Sequence, residues 1–171
     1  MLAKGISGAD DISSHFKFRK AVREDVPSLI EFLKETILEV YGQILPREIL
    51  KPWVEGDRLC NDIGLLWQNM IVAEKDGEIV AVTADLDDKV ALLWVHPAHH
   101  REGIGSVLLN IVEAEINKSG HEVTKLECFS ENDRAMRFYR ARGWEPLCEE
   151  MDGEVGVLKI VMTKTLTKGG R

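Results

Sequence analysis

Cysteine is scarce in this chain: Cys60, Cys128 and Cys148 are an odd number, with no two close together. That argues against a disulfide framework and a cysteine-based zinc site, and makes a reducing, cytoplasmic setting the expectation. No apolar run approaches the ~18 residues that a membrane-spanning helix needs, so no membrane partner is expected. The opening MLAKGISGADDISSH lacks the apolar centre of a secretory signal, and residues 1–15 are read as a flexible arm, with 167–171 as a flexible tail. Internal repeats, low-complexity linkers and long blocks of one charge sign are also missing. Lys and Arg number 22 against 29 Asp and Glu, a formal net charge of −7. With no arginine-rich stripe, that balance excludes a nucleic-acid partner as the working expectation and mildly favours a cationic one.

What is present suits one folded domain. The chain has 171 residues, 44% of them hydrophobic and 30% charged, enough for a single sizeable core over residues 16–166. Phe16 to Val22 alternates as a strand. Asp25 and Pro27 then open a helical pattern of Leu29, Ile30, Leu33, Ile37, Leu38 and Tyr41, which Gly42 stops. Pro46 to about Asn61 is a shorter or broken helical region. Met70–Ala73 and Ile79–Thr83 flank Asp76-Gly77, a hairpin signal, and Val90–Val95 is a mostly apolar and hence central strand. A helix over 103–118, a strand over 123–129, a helix over 131–142 and two strands near 144–149 and 155–163 complete the pattern. This alternation implies an α/β (α+β) domain with helices packed over a mixed sheet.

Two stretches carry chemistry. In the first, VHPAHHREGIGSVLLN (95–110), His96, His99 and His100 offer nitrogen ligands. Pro97 opposes a helix through His96, and the residues that would complete a shell cannot be named, so no metal is expected and exposed loop histidines are the plain alternative. Strand, short loop, Gly103-Ile104-Gly105 and helix also gather unpaired backbone N–H groups at the positive end of a helix, a place for a phosphate. The lysine of the nucleotide-binding loop and the third glycine of the dinucleotide fingerprint are absent. A close helix–sheet contact without any ligand explains the two glycines as well. In the second stretch, ECFSENDRAMRFYRARGWEP (127–146), Asn132 stands near a helix start, and Ala135, Phe138, Tyr139 and Arg142 recur three and four apart. Read alone, Asn132 is a cap and Tyr139 a packing residue.

Together the two stretches resemble the Gcn5-related N-acetyltransferase (GNAT) family. His100-Arg-Glu-Gly-Ile-Gly105 follows its pyrophosphate loop, with Pro97 upstream and Ser106-Val-Leu-Leu109 continuing the helix, although histidine replaces the usual arginine or glutamine at 100. Asn132, Ala135, Phe138-Tyr139 and Gly143-Trp144 are similar to its later signature. The resemblance implies an acyl-coenzyme A N-acyltransferase-like fold, a mixed, mostly antiparallel sheet with helices on both faces. It implies an acetyl-CoA-dependent N-acetyltransferase acting by direct attack of a primary amine in a ternary complex. A degenerate acetyl-coenzyme A-binding sensor or interaction domain is the alternative.

Carried over residue by residue, the resemblance assigns the pantetheine arm to backbone near Leu93 and Val95, where the sheet splays. It assigns the pyrophosphate to His100, Arg101, Glu102, Gly103, Ile104, Gly105 and Ser106, and further cofactor contacts to Asn132, Ala135 and Phe138. Tyr139 becomes the general acid for the thiolate. For the base, Glu127, Asp87 and water stay open, with Cys128 a small core residue on the opposite strand face. Glu35, Glu39, Tyr41 and Glu48 lie where the family's substrate selectivity resides, and a solvated helix face accounts for the acids equally. The acceptor is expected to be a small-molecule, peptide or protein amine, and a homodimer is the assembly to test for.

Overall fold

The computed structural model describes residue 12 and residues 14–167. The expected arm over 1–15 and tail over 167–171 therefore fall mostly outside the described residues. Ile12 is described, and its carbonyl accepts from the His15 and Phe16 N–H groups at 3.1 and 3.0 Å.

Strand β1 (Lys17–Lys20) leads into α1 (Val26–Tyr41), where Pro27 sits in the first turn, a position at which its missing N–H is harmless. Leu29, Phe32, Leu33 and Ile37 form the buried stripe of α1, and the Gly42 N–H closes the helix on the Leu38 carbonyl at 2.9 Å. The region expected as one broken helix is two: α2 (Arg47–Val54) and α3 (Arg58–Leu66). Gly56 permits the break, since a Cβ there would lie 2.6 Å from the Pro52 carbonyl oxygen. The hairpin of β2 (Met70–Lys75) and β3 (Glu78–Leu86) turns at Asp76 and Gly77 with φ of 53° and 85°, the left-handed pair its sequence asks for. Then come β4 (Lys89–Val95), α4 (Ile104–Lys118), β5 (Val123–Phe129), α5 (Asp133–Arg140), β6 (Glu145–Met151) and β7 (Leu158–Thr165).

The seven strands form one sheet in the order β1-β2-β3-β4-β5-β7-β6, antiparallel except between β4 and β5. Period two divides β2 between the layers. Met70 and Val72 face α1–α3 with Leu29, Leu33, Leu50 and Ile63, whereas Ile71 and Ala73 face α4 with Ile104 and Leu108. A third cluster joins α4 and α5 to β5 and β7 through Leu109, Ile116, Leu126, Tyr139 and Met162. Trp144 is buried in it and donates its indole N–H to Glu113 at 2.9 Å, while Lys164 meets the other Glu113 oxygen at 2.7 Å. Fully satisfied in this way, Glu113 ties α4 to β7.

One ladder is incomplete. Between β4 and β5 the paired position is Lys89 with Lys125, after which the strands diverge. Beyond it, the edges of Val90–Val95 and Leu126–Phe129 that are turned away from β3 and β7 face an opening.

Candidate active site

That opening is the root of a cavity of about 720 Å³, with β4 and β5 as its sides and the starts of α4 and α5 at its ends. Leu93, Val95, His100, Arg101, Gly103, Ile104, Gly105, Ser106, Asn132, Ala135, Phe138, Tyr139 and Glu127 all line it, so the two sequence stretches meet across the splay. Glu102 does not. Its carboxylate turns to His99 Nδ1 at 2.9 Å.

The loop from β4 to α4 is shaped by its backbone. Arg101 and Gly103 adopt φ of 66° and 83°, turning the chain so that Gly103 stands at the N-cap of α4. Among the described residues no side chain caps this helix. Its first N–H groups therefore lie together at the positive end of a fifteen-residue helix, a cradle for an anion. Ser106 could have filled that role, but its hydroxyl accepts from Arg142 Nε at 3.0 Å. Gly105 is needed for a second reason: a Cβ there would be 3.3 Å from Phe138 Cζ and 3.6 Å from Val95 Cγ2. Arg142 lies over the same Phe138 ring, 3.7 Å from its centroid, and Arg134 and Arg137 also reach the cavity. Sequence reasoning named Arg101 alone as a cation here. Nothing in the sequence pattern showed that the other three would face the same opening.

The histidines divide by role. His100 Nε2 lies 2.8 Å from the Val95 carbonyl, so the ring carries its proton there and folds back onto the strand. Burial holds this imidazole below its ordinary pKa, against the Val95 carbonyl, which pulls the other way. It is therefore neutral at pH 7 and is no counter-charge for a phosphate, unlike the arginine it replaces in the resembling family; a rise in anion affinity through its protonation is not to be expected. Because the depressed imidazole takes up its proton later than in the unfolded chain, its contribution to stability is complete above about pH 6.5 and is lost as pH falls below that value. We expect His100→Gln, which retains a donor for Val95, to flatten the fall of the thermal midpoint below pH 6.5. Equal slopes in the two proteins refute this. His96 Nδ1 accepts from the Ala98 N–H at 3.2 Å, which leaves its Nε2 protonated and 3.8 to 3.9 Å from the exposed carboxylates of Glu39 and Glu35. Glu35, Glu39 and His96 could surround a cation, but the nitrogen facing the carboxylates is a donor rather than a ligand in this tautomer.

The acid–base candidates differ in burial: Tyr139 and Cys128 are buried and Glu127 is exposed. Tyr139 is 8% exposed, and its phenol is pushed well above the usual range by burial first and by Cys128 and Tyr41 second. Cys128 rises to about 11 through burial, so it is a thiol at neutral pH and a poor nucleophile. Asn132 caps α5, its Oδ1 accepting from the Ala135 N–H at 3.1 Å. Glu127 is the one carboxylate among the described residues that line the cavity, and Lys159 binds it at 3.0 Å. Asp87, the other sequence candidate for a base, is on the β3–β4 turn, 81% exposed and 3.3 Å from His121, outside the cavity. Glu48 is exposed at the start of α2, away from the site. Tyr41, expected as part of an outer selectivity surface, lines the cavity itself.

A parted pair of parallel strands beside an uncapped glycine-led helix defines an acyltransferase fold of the GNAT class. Residues 67–146 match the family described as Acetyltransferase (GNAT) domain. No curated protein matches the sequence. Among solved structures, the chain is similar to a GCN5-related N-acetyltransferase from Rhodopseudomonas palustris at 16% identity and TM-score 0.75, covering 88% of this chain and 95% of that one. It is also similar to the PaiA N-acetyltransferase of Thermoplasma acidophilum, solved with coenzyme A, at 22% identity and TM-score 0.71 over 88% and 98% of the two chains. A third likeness is to yncA of Salmonella typhimurium, solved with its cofactor acetyl-CoA, at 18% identity and TM-score 0.62 over 91% and 96%. At these identities the structures establish the fold.

Proposed function

We propose that this protein moves the acetyl group of acetyl-coenzyme A to a primary amine by direct attack. The observation that carries the reading is one continuous cavity that joins an anion cradle at α4 to a buried, protonated phenol across the gap between β4 and β5. The residues present fit coenzyme A. The N–H groups at the start of α4 suit a pyrophosphate, and the parted edges of β4 and β5 suit an amide-bearing arm. When bound, acetyl-coenzyme A supplies an activated acyl group with a thiolate leaving group.

The chain's own groups do the rest. Gly103–Ser106 backbone and the arginines around the loop hold the charged end, and the parted strands align the arm toward Tyr139. His100 already engages one lone pair of the Val95 carbonyl, so the Val95 oxygen is shared rather than free. Tyr139 gives its proton to sulfur. Glu127, as the lining carboxylate, takes the proton that an ammonium must lose before attack, with Lys159 holding its side chain at 3.0 Å. Glu127→Gln should keep coenzyme A affinity and lower kcat about 10-fold; unchanged turnover assigns that proton to water instead. The overall reading is tested by a screen of acetyl-coenzyme A with pooled amines and peptide amino termini. Release of free thiol above the no-amine rate is the expected result, and its absence with every acceptor removes the enzyme reading.

A further inference from the structure

Tyr41 is a half-buried ionisable group in this cavity for which the reaction outlined above has no task. It and Tyr139 are the two tyrosines of the whole chain, and the fold brings both to one site. Tyr41 ends α1, where its carbonyl accepts from the Ile44 and Leu45 N–H groups at 3.0 and 2.8 Å and fixes the backbone. Its ring spans the gap between the diverging strands: the centroid lies 5.2 Å from that of Trp94 on β4 and 5.2 Å from that of Phe129 on β5, edge to face with each. It thus packs with the α1 layer, whereas Tyr139 packs with Cys128 in the α5 layer. The two phenols approach the splay from opposite faces of the sheet.

Asn132 lines the cavity beside Tyr41. Burial first and Cys128 second push the Tyr41 phenol well above its usual range, against Asn132, which pulls the other way, so the hydroxyl keeps its proton and has one to give.

Resting on the acetyltransferase reading, we infer that Tyr41 is a second proton donor to the departing thiolate, working from the α1 side of the gap while Tyr139 works from the α5 side. The amine enters neutral, its first proton already removed at Glu127. As nitrogen bonds to the acyl carbon, the carbon–sulfur bond breaks and its electron pair stays on sulfur, which takes a phenol proton. The proton lost by the acylated nitrogen restores the phenol, so the products are an amide and a thiol, and no charge is left buried.

The test compares wild type, Tyr41→Phe, Tyr139→Phe and the double variant, using the amine that the turnover screen finds. Phenylalanine retains the ring contacts with Trp94 and Phe129, so the thermal midpoint and the calorimetric Kd for coenzyme A should stay within about twofold of wild type. Removing the second hydroxyl from Tyr139→Phe should lower kcat by at least a further 10-fold, and the double loss should exceed the product of the two single losses, as for donors that substitute for each other. A smaller further loss, a double loss no greater than that product, or a loss carried by weaker coenzyme A binding, overturns the assignment and makes Tyr41 a packing residue. A wild-type protein that neither binds coenzyme A nor releases thiol overturns the acetyltransferase reading as well. One that does both, with Tyr41→Phe indistinguishable in either background, overturns this inference alone.

Discussion

Gly105→Val should weaken coenzyme A binding by at least about 100-fold, close to 3 kcal/mol, in a protein that still folds. A Cβ at this position would already meet Phe138 Cζ at 3.3 Å and Val95 Cγ2 at 3.6 Å, and the two further methyl groups of valine have nowhere to go but into Phe138 or the mouth of the cradle. Phe138 cannot retreat freely, because Arg142 covers its face at 3.7 Å while holding Ser106 and the Phe138 carbonyl. The substitution therefore disturbs the lining on both sides of the opening at once. Gly105→Ala serves as the graded control, since it asks the ring to move only a few tenths of an ångström and should cost about 10-fold or less. Isothermal titration with coenzyme A, alongside thermal midpoints for both variants, decides the matter. Undiminished affinity in a folded valine variant would remove the 100–105 loop as the binding site.

Tyr139→Phe should leave coenzyme A affinity nearly unchanged and lower kcat about 10- to 100-fold, since it deletes the donor and keeps the ring against Phe138 and Trp144. Burial pushes the phenol far above its usual range, which has two consequences. The proton is present throughout the pH range of any ordinary assay, so an alkaline decline in activity belongs to another group and should appear in wild type and variant alike. That replaces the simpler expectation of a high-pH limb set by an ordinary phenol near 10. The second concerns driving force: a more basic phenol is a weaker acid, yet the leaving thiolate shares its surroundings. Cys128, raised to about 11 in the same pocket, shows how far burial there makes a thiolate more basic, so donor and acceptor rise together. Tyr139→Ala differs in kind, leaving a void among Met136, Trp144 and Leu126 that should cost about 3 to 5 kcal/mol of stability. A folded Tyr139→Phe protein with wild-type kcat, measured where chemistry limits the rate, would take proton donation away from Tyr139.

Much of the architecture was written locally. The apolar stripe of α1, the Asp76-Gly77 hairpin and the apolar run of β4 each depend on neighbours within a few residues, and each formed where the pattern placed it. The glycine pair before α4 and the Asn-to-Tyr spacing of α5 are equally local, because a helix start and a helix face are set by the residues that compose them. Where the chain's own geometry competes with packing, the sequence was less legible. Pro52 lies inside α2 rather than at its boundary, and β1 is shorter than its alternation suggests.

Side-chain direction at the site was decided by tertiary structure. Sequence placed His100 at a phosphate and could not show that the Val95 carbonyl, five residues back, would capture its ring. It offered Asp87 and Glu127 as equal bases, and only the turn geometry of one and the strand register of the other separated them. Tyr41 read as the last residue of the apolar side of its helix and as part of a selectivity region; divergence of β4 from β5 opened a space that its ring could cross. The physical reason is common to these cases. Backbone conformation is set by short-range sterics and hydrogen bonding, which sequence spacing encodes, whereas the partner of a polar side chain depends on which distant segment the fold brings within about 3 Å of it. The sequence by itself determined where a helix would begin without a cap and which residues would share the face of α5; tertiary packing alone determined that a phenol from α1 would meet the one from α5 across the parted strands.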